Sequence, residues 1–169
     1  MIPHQSETEL AWNLHHDYLV IEILNFGSSK TMETIAYQIV KEADCAAILH
    51  LYRAAGWWQM DENPEYLSTV KHIIANSFCF VIAKYGDEII GMGRAISDGV
   101  SDAYIQDVTV LESYRGQGIG KHIIRTLLEN LKQNQLQWIG LISEPGYERF
   151  YEGLGFKVMQ HYTPFLLSE

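Results

Sequence analysis

The chain has 169 residues, of which 47% are apolar. This length and apolar share fit one domain with a filled core and exclude a disordered chain. The formal net charge of −9, from 12 basic and 21 acidic residues, opposes binding to nucleic-acid phosphates and is compatible with a cationic small molecule.

Residues 1–33 read as an N-terminal arm or extra strand, with a strand over 19–24 and a turn at Phe26-Gly27-Ser28-Ser29. The main domain covers 34–169. A strand over 34–40 alternates Ile35, Tyr37 and Ile39, and a helix over 43–55 stops at Gly56. A second helix covers 64–75. A meander of three strands follows, over 78–83, 88–96 and 103–110, with turns at Tyr85-Gly86-Asp87 and Ser97-Asp98-Gly99. The apolar period then becomes helical, with Ile119, Ile123, Ile124, Leu127, Leu128 and Leu131 on one face. A short buried strand is expected over 138–142 and a short helix over 146–152, closed by Gly153 or Gly155. A last strand is expected over 156–162, with 165–167 as its extension.

Apolar runs such as 78–83 are too short to cross a bilayer, and the N-terminus lacks the basic-then-apolar pattern of a leader. Cys45 and Cys79 lack the spacing of a zinc site or redox pair and read as free thiols in a reducing cytoplasm. His15-His16 reads as a surface pair, and no metal site is expected.

The strand Val108-Thr109-Val110 leads to the loop Arg115-Gly116-Gln117-Gly118-Ile119-Gly120-Lys121, which opens the amphipathic helix. Glycines let a backbone approach a ligand closely. The first turn of a helix has N–H groups without internal partners and the positive end of the dipole, so the junction suits a pyrophosphate. A P-loop is excluded because His122 follows Gly120-Lys121 and position 115 is Arg. The dinucleotide pattern GxGxxG fails from Gly116, where Lys121 comes last, and from Gly118, where Ile123 does. A turn that only caps the helix is the bland alternative.

The run Arg115-Gly116-Gln117-Gly118-Ile119-Gly120 resembles the [Q/R]-x-x-G-x-[G/A] motif of the GNAT superfamily of acetyl-CoA-dependent N-acetyltransferases. Downstream, Phe150-Tyr151-Glu152-Gly153-Leu154-Gly155-Phe156 is similar to that family's FY-x-x-x-GF segment. The resemblance covers roughly 34–162. It implies an α/β (α+β) fold: a mixed, mostly antiparallel twisted sheet of six to seven strands with helices on both faces. It further implies a splayed strand pair that holds CoA, with the pantetheine arm beside Val108, Thr109 and Val110. The backbone amides of Arg115 to Gly120 would hold the pyrophosphate, with Lys121 at the loop's end.

The implied activity is acetyl transfer from acetyl-CoA to a primary amine, preferably of a small molecule. A protein or peptide acceptor and a catalytically silent acyl-CoA-binding module are the alternatives. Tyr151 matches the tyrosine that many members place near the CoA sulfur, and a phenol is protonated at neutral pH. A core aromatic beside Phe150 is its structural alternative. The base is not evident. Strict alternation puts Tyr104, Gln106 and Val108 on one face and Ile105, Asp107 and Thr109 on the other. The resemblance implies that a strand base, in members that have one, sits near positions 104 or 106; here these are Tyr104 and Gln106, both poor bases. Asp107, Glu144 or a water chain remain open. Trp58, beside Trp57, and Tyr104 are candidate acceptor-binding residues, with core packing as the alternative for at least one tryptophan. Arg94 and Asp98 could bind an acceptor or pair with each other. The resemblance leaves a homodimer open, with the arm as an intersubunit contact.

Overall fold

Among the described residues, six strands form one sheet and follow one another in chain order. In this computed structural model the described residues are 34–58, 63 and 65–167, with the backbone of Val20 and Ile21. The expected turn at 26–29 and the His15-His16 pair lie outside them. Strand β1 (Val20–Ile21) pairs antiparallel with β2 (Ile35–Ile39), and β2 with β3 (Cys79–Tyr85). The meander continues through β4 (Glu88–Ser97) to β5 (Asp102–Val110), all antiparallel. Strand β6 (Trp138–Leu141) adds parallel to β5, as a helical crossover requires.

Helices cover both sheet faces, because consecutive strand residues point to opposite sides. Helix α1 (Cys45–Ala54) starts where the Asp44 carboxylate accepts from the Ala46 and Ala47 amides at 2.9 and 3.3 Å. It ends before Gly56, which takes φ 77°. Helix α2 (Glu65–Asn76) is preceded by Asn63, whose side chain accepts from the Glu65 amide at 2.9 Å. Ile48, Leu51, Tyr52, Val70 and Ile74 from these helices pack on Phe80, Ile82 and Met92. Helix α3 (Ile119–Gln133) covers the opposite face. Its Ile119, Ile123, Ile124, Leu127 and Leu131 are buried against Val81, Ala83, Ile90, Ala95 and Ile105. Each such side chain contributes about 1.5–3 kcal/mol by leaving water. Gly91 and Gly93 let α3 approach closely: a Cβ on Gly93 would lie 2.7 Å from Ile123.

Two expectations fail at the C-terminal side. Strand β6 is not a buried strand: Trp138 is 41% exposed, and Ile142 lies beyond the strand at 75%. Only Ile139 and Leu141 join the α3-side core, because β6 stands at the sheet's edge. The second correction concerns 156–162 and 165–167, which form no strand. After the short helix α4 (Glu148–Glu152), the Phe156 amide donates back to the Tyr151 carbonyl at 3.2 Å. Beyond that turn, Val158, Tyr162 and Phe165 are exposed. Aromatic and branched residues favour a strand only where a pleated, half-buried surface receives them.

Candidate active site

The site begins where β5 leaves β6. Their parallel pairing runs from Asp102↔Trp138 to Ile105↔Leu141 and stops there. Just beyond, β5 is irregular against β4: Met92 faces Thr109 and Arg94 faces Gln106, so Gly93 alone spans Asp107 and Val108. This is a β-bulge, which bends a strand and re-aims its side chains. Asp107 carries it at φ 54°.

The bulge overturns the expected sorting of side chains. Val108 packs with the α3-side core, whereas Asp107 bonds to groups on the α1/α2 side. Gln106 and Asp107 therefore share a side that strict alternation would have divided. Val110 is buried against α3, and Thr109 is a buried polar residue on the other side.

Past Val110, a 3-10 turn (Glu112–Tyr114) leads into the glycine loop. The Tyr114 hydroxyl donates to Glu88 at 2.9 Å and ties this turn to the β3–β4 hairpin. Gly116 and Gly118 adopt φ 78° and 84°, and a Cβ at either would meet nothing within 4 Å. The loop thus presents bare backbone to open space. Gly118 is the N-cap of α3, and the first bond back to it comes from the His122 amide at 3.1 Å. The amides of Ile119, Gly120 and Lys121 have no partner within the helix, as its first turn dictates. These features fit a bound pyrophosphate. Arg115 differs from its neighbours: its amide donates to Glu112 O at 3.1 Å and its Nε to Val110 O at 2.9 Å. It fastens the loop to the strand end.

Helix α4 meets this loop directly. The Phe150 ring lies 3.5 Å from where a Cβ on Gly120 would stand, with Val110 beside it. Tyr151 is half-buried between Phe150 and Phe156, whose rings meet it edge-on at 5.0 and 5.9 Å. Burial, and then Tyr147 and Glu144, raise its hydroxyl above the ordinary 10.0. A phenol so placed stays protonated across the neutral range and can donate.

On the α1/α2 side three side chains converge. The Asp107 Oδ2 atom accepts from Tyr52 Oη at 2.7 Å and pairs with Arg94 Nε at 2.5 Å. Arg94 Nη2 also donates to the side-chain oxygen Oε1 of Gln106 at 3.0 Å. Arg94 therefore pairs with Asp107 and not with Asp98, whose Oδ1 instead accepts from the Val100 and Ser101 amides. Burial, followed by the Asp107 charge, pushes the Tyr52 hydroxyl far above its ordinary range, so it serves as a donor. Tyr52 is a site neighbour that the sequence conceals, because it shares the apolar face of α1 with Ile48, Leu49 and Leu51.

Trp58 stacks on Tyr52 at 4.7 Å and packs on Tyr66 at 5.3 Å, while Trp57 is 42% exposed. Tyr104 is 41% exposed, with its ring 5.1 Å from that of Trp138. It faces Ile96 across β4, so it shares the side of Arg94 and Gln106. The structure thus brings the loop, Val110 and α4 together on one side, and Tyr52, Trp58, Arg94, Gln106 and Asp107 on the other.

A strand that runs into a bare glycine loop capping a helix N-terminus suits the pyrophosphate of an acyl-CoA. Residues 35–156 match the Acetyltransferase (GNAT) family, and the chain belongs to it. It is an acyltransferase with acetyl-CoA as co-substrate. The chain is 28% identical over 161 residues to the Glycine max protein named histone acetyltransferase TAP1, covering 92% of this chain and 69% of that protein. Among solved structures, it resembles the GNAT family acetyltransferase SP0256 of Streptococcus pneumoniae, with a TM-score of 0.68 and 27% identity over 80% of this chain and 98% of that one. The fold is shared by AAC(6')-Iy, solved with the bisubstrate analog CoA-S-monomethyl-acetylneamine, at a TM-score of 0.64 and 15% identity, over 79% of this chain and 98% of that one. Shorter matches include plant proteins named as chloroplastic. Among the described residues, no helix is long and apolar enough to cross a membrane.

Proposed function

We propose that this chain moves the acetyl group of acetyl-CoA to a primary amine of a small molecule by direct attack in a ternary complex. The observation that carries this reading is the open backbone loop that follows β5 and caps α3 at Gly118, beyond the last β5–β6 pair at Ile105↔Leu141. Val108, Thr109 and Val110 line one wall of the cofactor slot with their backbone. The loop from Gly116 to Lys121 receives the pyrophosphate through amides, and Arg115 braces the loop from below. Bound acetyl-CoA supplies an activated acyl carbon and a sulfur leaving group. The chain's own residues orient the reactants and supply one proton, which together account for much of such an acceleration. Tyr151 donates that proton to the departing sulfur and regains one, through water, from the attacking nitrogen as the amide forms. The acceptor's ammonium loses its proton through water, and Trp58 and Tyr104 flank the acceptor with aromatic faces.

Residues 34–169 act as the catalytic domain in this reading, with 1–33 as an added arm. The chain works in the cytoplasm, a setting that suits its free thiols. One observation favours a second acceptor class: Ile96, Tyr104 and Trp138 leave the outer part of the sheet uncovered, which suits an extended peptide. The test is CoA release with a panel of small amines and lysine peptides. Turnover with small amines at kcat/KM values well above those of peptides supports the first reading. The reverse order establishes the second, and binding without release from any acceptor refutes both.

A further inference from the structure

Asp107 is the non-glycine residue of β5 that takes a left-handed backbone, at φ 54°. Side chains resist that conformation, Asp and Asn least among them. Its place is where the strand must change course. Pairing with β6 ends at Ile105, and the two-against-one bulge opposite Gly93 begins after Gln106. Gly93 is the matching adaptation on β4. A Cβ there would stand 2.7 Å from Ile123 and 3.2 Å from Val108, so its bareness admits the displaced Val108.

Three groups secure the unusual residue. Arg94 Nε and Tyr52 Oη both meet Oδ2 of Asp107. Arg94 reaches on to Gln106, the residue before the bulge. Tyr52 is itself 2% exposed and fixed under the stacked Trp58 ring. The Oδ2 atom of the carboxylate is thus already engaged by two donors. From the coincidence of bulge, the end of β5–β6 pairing and converging donors, we infer that Asp107 is a positioning residue. Held by Arg94 and Tyr52, it fixes the bend of β5 that opens the acetyl-CoA slot, and it is not the base that deprotonates the acceptor. This rests on the cofactor site proposed above.

The test uses the full chain with Asp107→Asn, Asp107→Ala and Tyr52→Phe, reading acetyl-CoA affinity by calorimetry and kcat across pH. Asn tolerates the left-handed backbone and keeps a carbonyl oxygen for both donors. Asp107→Asn is therefore expected to hold acetyl-CoA Kd and saturated kcat within about threefold, with an unchanged pH profile. Asp107→Ala loses backbone tolerance and anchors together, and its Kd should rise at least about tenfold while saturated kcat stays within about threefold. Tyr52→Phe keeps the ring stack and removes one donor, so its Kd should rise by about two- to fivefold. It decides the question if the Ala variant does not fold. A fall of about 100-fold or more in kcat for Asp107→Asn, with loss of the acidic limb of the profile, would make Asp107 the base and overturn the inference. Native acetyl-CoA affinity in folded Asp107→Ala, or in Tyr52→Phe, would overturn it too. Gly118→Asp separates the layers: native acetyl-CoA affinity there sinks the cofactor site itself, whereas weakened binding there beside native binding in Asp107→Ala sinks only the positioning role.

Discussion

Gly118→Asp puts a side chain and a charge where the loop presents only backbone. At φ 84° a non-glycine residue costs about 1–2 kcal/mol, less for Asp, so the variant should fold with a modest loss of Tm. No atom lies within 4 Å of the added Cβ, so steric conflict with the protein adds nothing. The functional cost is electrostatic. Two like unit charges about 5 Å apart repel by about 0.8 kcal/mol in bulk water and by about 3 kcal/mol at an effective dielectric of about 20. Against the two charges of a pyrophosphate, the water limit alone gives about 1.6 kcal/mol, or slightly more than tenfold in Kd. Calorimetry should therefore show acetyl-CoA Kd raised at least about tenfold, and more at low salt. Gly56→Asp is the control, since Gly56 has φ 77° and equally open surroundings but lies at the end of α1. It should lose similar stability and keep native acetyl-CoA affinity. A folded Gly118→Asp protein with native affinity would show that the pyrophosphate does not lie at this loop.

Three further predictions follow from the same geometry. Tyr151→Phe keeps the packing on Phe150 and Phe156 and removes the hydroxyl, so single-turnover transfer should slow by about 100-fold with near-native acetyl-CoA affinity; equal transfer rates would reduce Tyr151 to packing. Gly93→Ala forces a methyl to within 2.7 Å of Ile123, so urea denaturation should show a loss of about 1–3 kcal/mol, and no loss would mean that α3 is not seated as described. The fold should also weaken in alkali: Tyr52 and Tyr151 are raised above 10.0, and burial pushes Cys79 from 9.0 up to about 12. Between the unfolded and folded values the unfolded chain binds fewer protons, so this stability is present below pH 9.0 and is lost as pH rises through the folded values. Chemical denaturation at rising pH checks this, and a flat profile to pH 12 would contradict it.

The glycine loop and the helix it opens are legible because their signals are local. Gly116 and Gly118 in front of an amphipathic helix need only their own backbone and the next four turns of sequence to be read. The meander was equally plain from turn residues between apolar runs. The bulge at Asp107 was not, because a period of two assumes that each residue faces one partner, and only the pairing with Gly93 breaks it. Tyr52 was hidden for a related reason: nothing in a helical apolar face separates a core tyrosine from one whose hydroxyl reaches a strand. The segment 156–162 has strand-like residues, but whether they pair depends on an edge that the sequence does not announce.

Acetyl transfer itself is the property that separates an enzyme from a binding module. The measurement is stopped-flow detection of free CoA thiol on mixing acetyl-CoA-loaded protein with a saturating primary amine, with the amine product identified by mass spectrometry. One thiol released for each N-acetyl product, with the rate lowered in Tyr151→Phe, is the predicted result. Tight acetyl-CoA binding with no thiol release from any small amine or lysine peptide would contradict the account and leave an acyl-CoA-binding module.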